Sequence, residues 1–185
     1  MNTKKRIKEQ PKYSLGGLLA RYGLIILLGL GNLFVFYNIF TPLTSEFVYF
    51  ILRLFSDATR IGDLIVYNSI LVRLIPACIA GSAYYLLFIL IFSTPNIIWI
   101  KRIRIVLFSF GLLFLLNSLR IVFLIIINQS VYFEYIHLFF WYFLSTIFVI
   151  GIWIITIKIF KIQDIPLYTD IRDLRELITK IKTKN

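Results

Sequence analysis

The chain has 185 residues, 59% of them hydrophobic and 16% charged, with a mean hydropathy of +0.86. Soluble domains carry roughly a quarter charged residues, so this composition excludes an ordinary water-facing surface and marks an integral membrane protein. The formal charge of +11 does not point to nucleic acid, because the basic residues gather at the flanks of apolar stretches, where they report orientation and anionic lipid.

Lys4, Lys5, Arg6, Lys8 and Lys12 lead into the first apolar stretch, and no small-residue cleavage site follows. That pattern predicts a retained anchor, not a removed signal peptide. Leu18–Phe40 is long enough to cross a hydrocarbon core of roughly 30 Å, and Thr41-Pro42 is expected to end it. In Ser45–Phe55 the apolar residues Phe47, Phe50, Ile51, Leu54 and Phe55 fall at helical spacing, which predicts a short helix lying in the outer interface.

Asp57–Ile75 has a different texture. Gly62-Asp63 and Tyr67-Asn68-Ser69 punctuate the runs Leu64-Ile65-Val66 and Ile70-Leu71-Val72, so a strand–turn–strand or re-entrant segment is expected. A second span begins at Pro76-Ala77-Cys78 and breaks at Ser93-Thr94-Pro95-Asn96. Lys101, Arg102 and Arg104 follow, then a third span over Ile103–Ile127 and a fourth over Ile136–Ile157, closed by Lys158 and Lys161. From Ile165 onward, Ile171, Leu174, Leu177, Ile178 and Ile181 recur between charges as an amphipathic tail.

These elements predict an all-α multi-pass membrane protein of about four transmembrane helices, with an outer interfacial helix and a hairpin-like or re-entrant segment before the cysteine. Residues 1–162 form one membrane domain and 163–185 a cytoplasmic amphipathic tail. The positive-inside bias puts both termini and the 93–104 turn in the cytoplasm, and the loops 41–77 and 128–135 outside.

Helix rise then brings three singular residues to one depth. Cys78 stands roughly 22 Å above the cytoplasmic turn and Arg120 roughly 24 Å above its edge, at about 1.5 Å per residue, while His137 opens the fourth span at the outer edge. Each has a plain structural reading: a small buried hydrophobe, a snorkelling cation, a headgroup-facing ring. Arg120 is the hardest to dismiss, since a charge at that depth costs about 2.5–3.5 kcal/mol on insertion scales. Asn117 shares its helix face. Cys78 follows Pro76 near a helix start that continues through Gly81-Ser82, a setting that favours a thiolate. Together they supply a nucleophile, an oxyanion clamp and a base, the parts needed for acyl transfer through a cysteine thioester. Glu134 reads first as a solvated loop acid, with orientation of His137 as the alternative. Arg73, five residues before Cys78, is a secondary candidate for contact with a substrate carboxylate or a lipid headgroup. Asn128-Gln129-Ser130 is a weak glycosylation triplet. One cysteine and one histidine leave no disulfide and no metal cage, so no metal and no cofactor are expected.

The order Cys78 … Asn117-x-x-Arg120 … His137 on successive spans resembles the exosortase/archaeosortase family of membrane cysteine transpeptidases. The context Pro-Ala-Cys-Ile-Ala-Gly-Ser-Ala-Tyr-Tyr and Asn-Ser-Leu-Arg-Ile carries the likeness, over roughly residues 62–148. The resemblance implies Cys78 as nucleophile, Arg120 as stabiliser and His137 as third member, supported by Asn117, Gly81 and Ser82. It implies as partners surface-protein precursors with a C-terminal motif, a transmembrane helix and a basic tail, and a membrane lipid or other acceptor for the product. Many members carry a small hydroxyl residue and then Gly directly after the cysteine; here Ile79-Ala80 precede Gly81-Ser82. The short core is closest to compact archaeal-type members. The alternative is a non-catalytic transporter, scaffold or assembly subunit in which Arg120 is paired structurally.

Overall fold

The computed structural model describes residues 15–55, 57–61, 64–68, 70–140, 145–164, 166, 168, 170–172, 175 and 179. The basic N-terminal run, Gly62-Asp63 and most of the amphipathic tail lie outside the described residues. The chain is mostly helical: α1 (Leu15–Gly29), α2 (Phe34–Phe55), α3 (Pro76–Ile79), α4 (Gly81–Phe92), α5 (Trp99–Ile126), α6 (Phe133–Phe139) and α7 (Ser145–Phe160). Of these, α2 and α5 are long and apolar enough to cross a membrane.

The first apolar stretch differs from its expected form. The helix does not run unbroken to Phe40: Gly31, Asn32 and Leu33 all take positive φ, so a turn separates α1 from α2. Nor does Pro42 end a helix; it sits inside α2, where it forgoes one backbone hydrogen bond without stopping the helix. The expected separate interfacial helix over Ser45–Phe55 is therefore the second half of α2. Its buried stripe is Thr44, Ser45, Val48 and Leu52, while Phe50, Leu54 and Phe55 point outward.

Between α2 and α3 the chain forms a small antiparallel sheet, β1 (Thr59–Ile61), β2 (Leu64–Tyr67) and β3 (Ile70–Arg73), in that order. The β-branched runs supply the strands, and Asn68, at φ 46°, supplies the left-handed residue that a two-residue hairpin needs. The register pairs Tyr67 with Ile70, Val66 with Leu71, Ile65 with Val72 and Leu64 with Arg73. The expected second span is broken at Ala80, which adopts a left-handed conformation (φ 59°, ψ 41°) between α3 and α4. His137 lies within α6, and residues 141–144, between it and α7, lie outside the described residues.

Two cores hold these parts. Ile25, Phe36, Tyr84, Leu87, Phe88, Ile91, Ile105, Leu113, Val149 and Ile152 join α1, α2, α4, α5 and α7. Val48, Leu52, Ala58, Ile65, Tyr67, Ile121, Val122 and Ile125 join the sheet to α2 and α5, with Cys78 packed at the margin. Side-chain contacts set direction. Arg21 donates to the Phe92 carbonyl at one end of α4, Tyr85 donates to Ile25, and the Tyr37 ring lies on Gly81 at the other end. α1 and the start of α2 thus run the same way along α4, one continuing the other. The molecule has two poles: one gathers Arg21, Arg102 and Asp170, the other the sheet, α3 and α6.

At the first pole the end of α4 is closed by side chains. Ser93 and Thr94 hydroxyls donate to the Ile89 and Leu90 carbonyls. Arg102 donates to Ile91, Phe92, Thr94 and Ile97 carbonyls. The carbonyls that a helix leaves orphaned at its C-terminus are all answered. Arg21 also forms a buried ion pair with Asp170 at 2.9 Å, and Tyr22 donates to the same carboxylate. Residue 170 of the expected tail is thereby fastened to α1.

Candidate active site

Cys78 lies in α3, a single turn that starts on Pro76 and ends at the left-handed Ala80. Proline is preorganised for the first helical position, and the reversal at Ala80 sets α3 off from α4. Placing a residue with a Cβ there costs about 1–2 kcal/mol relative to right-handed backbone. Here alanine bears that conformation. Gly81 follows for a steric reason: a Cβ there would come within 2.7 Å of the Tyr37 ring.

α5 holds the turn in place. The Asn117 carboxamide donates to the Cys78 carbonyl at 2.9 Å and to the Ile79 carbonyl at 3.4 Å. Asn117 is 1% exposed, so the bond is sheltered from water and the turn cannot drift from α5 without leaving buried polar groups unpaired. One turn further along α5, Arg120 is also buried. It borders the same cavities as Cys78.

His137 approaches from α6. Its ring is exposed and stacks face to face on Phe133, 5.6 Å between centroids and 5° between planes, a one-turn helical pair. Glu134 is exposed on α6, as a solvated acid would be; the ring that packs on His137 is Phe133.

Two cavities meet here. One of about 110 Å³ is lined by Ile75, Ala77, Cys78, Arg120, Leu124, His137 and Phe140. The other, about 250 Å³, shares Cys78, Arg120, Leu124 and His137 and extends along Leu71–Leu74 towards Ile125 and Phe133. Three residues far apart in sequence thus border one space, with apolar walls and few other polar groups. Arg73 lines the second cavity and also a larger one of about 670 Å³ on the α2 side, with Arg60, Tyr37 and Ser45. Arg60 there is ion-paired with Glu46. Ser82 is exposed and lines none of these cavities, so it stands apart from the residues it was grouped with.

Sequence reasoning singled out Arg73 but missed Phe133, Tyr37 and the strand wall on either side of Arg73, Leu71, Val72 and Leu74. Phe133 was readable, four residues before His137. The other two contacts join segments distant in the chain, and no local spacing encodes them. Among the described residues, no group of His, Cys, Asp and Glu could hold a metal ion. Comparison of the chain with protein-family models, curated proteins and solved structures yields no match in any of the three.

Proposed function

We propose that the chain is a membrane-embedded cysteine protease or transpeptidase, similar to exosortases and archaeosortases, acting on a C-terminal sorting signal of surface-protein precursors. The observation that carries this reading is that Cys78, Arg120 and His137, from three separate helices, border the same cavities. In the reaction, the Cys78 thiolate attacks the carbonyl carbon of a peptide bond near the sorting motif. Arg120 takes the developing oxyanion charge. As the C–N bond breaks, His137 gives the leaving amine the proton it took from the Cys78 thiol. The resulting thioester passes its acyl group to a lipid or other acceptor, or to water, and the thiol is restored.

The membrane setting is supported by the inverted dress of α5. Leu107, Leu115, Leu119 and Phe123 are exposed, whereas Ser109, Asn117, Ser118 and Arg120 are buried. In water that arrangement is unfavourable along a whole helix; in lipid it is what polar residues require. We read α1 with the start of α2, α3 with α4, α5, and α6 with α7 as four spans, with the pole of Arg21 and Arg102 cytoplasmic and the cysteine pole outside. Lys101, Arg104 and Lys158 at the first pole agree with the positive-inside bias.

The test is to trap the acyl-enzyme. The protein is co-expressed with surface-protein precursors from the same genome that carry a motif, a transmembrane helix and a basic tail, and Cys78 is examined by mass spectrometry for a hydroxylamine-labile adduct. A precursor-derived thioester on Cys78 supports the reading. Full precursor processing by a Cys78→Ser variant would end it in favour of a non-catalytic membrane subunit.

A further inference from the structure

The cavity beside Cys78 touches four consecutive residues, Leu71, Val72, Arg73 and Leu74. Successive side chains of a strand point to opposite faces, so a space bordered by all four runs along the strand's edge and not under one face. β3 is the last strand of its sheet, and among the described residues no strand pairs with its other edge.

The register says which backbone groups lie there. The hairpin closes with Tyr67 opposite Ile70, and across a two-residue turn the closing pair exchanges both hydrogen bonds, after which bonded and non-bonded pairs alternate. Ile70 and Val72 therefore bond inward to β2. The N–H and C=O groups of Leu71 and Arg73 face the open edge. The opposite wall is mostly apolar, Ile121, Leu124, Ile125 and Phe133, with Asn128, Arg120 and His137 as its polar members. A row of alternating donors and acceptors set in mostly apolar walls is complementary to an extended polypeptide backbone. The row is continuous with the space at Cys78, and Leu71 to Leu74 spans roughly 10 Å, at about 3.4 Å per residue.

We infer that β3 receives the substrate as a fourth strand, its backbone pairing with Leu71 and Arg73 so that the scissile carbonyl arrives at Cys78. This rests on Cys78 being the nucleophile and adds how the substrate is held: as an unfolded, extended segment recognised first by its main chain. The segment before the scissile bond must then be free of helix and able to present its own N–H groups.

Peptide-directed alkylation tests it in the full-length, detergent-solubilised protein. The probes are acetyl-trialanyl chloromethyl ketone, its analogue methylated on the backbone nitrogens, and iodoacetamide as a reagent with no backbone to pair. Modification of Cys78 is followed by intact mass. Leu71→Pro removes an outward N–H and leaves the β2–β3 bonds intact, a substitution that edge strands tolerate; Arg73→Pro is the second variant of the same kind. The expected result is that the peptide reagent outpaces its methylated analogue by about tenfold, the loss of a backbone hydrogen bond or two. Leu71→Pro should slow the peptide reagent similarly while leaving the iodoacetamide rate unchanged. Equal rates for the two peptides, with Leu71→Pro indifferent, overturn strand pairing but leave the nucleophile standing. If Cys78 reacts no faster with any reagent than a free cysteine does, the nucleophile falls, and strand pairing falls with it.

Discussion

The side-chain amide of Asn117 donates to the backbone carbonyl of Cys78 at 2.9 Å, so the helix that carries Arg120 also fixes the turn that carries the thiol. Asn117→Leu, which keeps the bulk and removes the donor, leaves the Cys78 and Ile79 carbonyls unanswered. We expect a loss of about 1–3 kcal/mol in stability, read as a lower thermal midpoint in detergent, and a larger proportional loss of precursor processing. Unchanged processing at full protein level would separate the turn from the chemistry.

Arg120 should behave as a charge with geometry. Arg120→Lys keeps the charge but loses the planar fork of donors, and partial processing is expected. Arg120→Ala should retain almost none, since loss of one oxyanion donor costs about 10²–10³ in rate. Cys78→Ser should be inactive, because a serine hydroxyl demands a stronger base. All three should accumulate to normal levels. A nearly silent Cys78→Ser, with Arg120→Ala acting only by lowering the amount of folded protein, would identify a structural pairing instead.

Neighbouring small residues should respond with opposite signs. Ala80→Gly relieves a left-handed Cβ at the cost of a more flexible unfolded chain, for a net gain of about 0.5–1 kcal/mol. Gly81→Ala drives a Cβ to 2.7 Å from the Tyr37 ring and should cost about 1–3 kcal/mol. Adding Tyr37→Leu to Gly81→Ala should recover part of that loss. Thermal midpoints of the four proteins decide it.

The four-span arrangement can be mapped with single cysteines on a Cys78→Ala background. A membrane-impermeant maleimide should label Ser130→Cys in intact cells, and Lys101→Cys only after permeabilisation. Labelling of both from one side would remove the four-span topology.

Asp170 is 2% exposed and ion-paired with Arg21. Asp170→Asn leaves that guanidinium without its counter-charge, and a cost of about 3 kcal/mol is expected. Limited proteolysis should then cut after position 162 faster than in the parent. Equal cleavage rates would mean that the pair does not fasten the tail.

What could be read in the sequence was mostly what local spacing encodes. Asn117 and Arg120 fall three apart on a helix, and the structure turns both into the bundle. The β-branched runs around Asn68 did announce a hairpin, although not its third strand at Thr59–Ile61. Hydropathy misled over the first stretch, because the break at Gly31, Asn32 and Leu33 is too brief to lower the average of the apolar run around it. Pro42 misled in the other direction, since a single missing N–H does not stop a helix packed along Thr44, Val48 and Leu52. The cavity itself depended on packing between the strand wall, α5 and α6, contacts of long sequence separation that no window of residues contains.

The side-chain cap on the end of α4 has a mechanical consequence. With Arg102, Ser93 and Thr94 answering the terminal carbonyls and Arg21 tied to both Phe92 and Asp170, α1, α4 and α5 are riveted at one end. The opposite end is assembled from a three-stranded ribbon, a one-turn helix and the seven-residue α6; the ribbon and the one-turn helix are held by the second core and by Asn117, whereas α6 carries no buried residue. Local opening concentrates where few buried contacts must be broken, so opening is expected at α6, with the basic end as its fixed point. The wall that carries His137 can part from the cavity at Cys78 without the bundle coming undone beneath it.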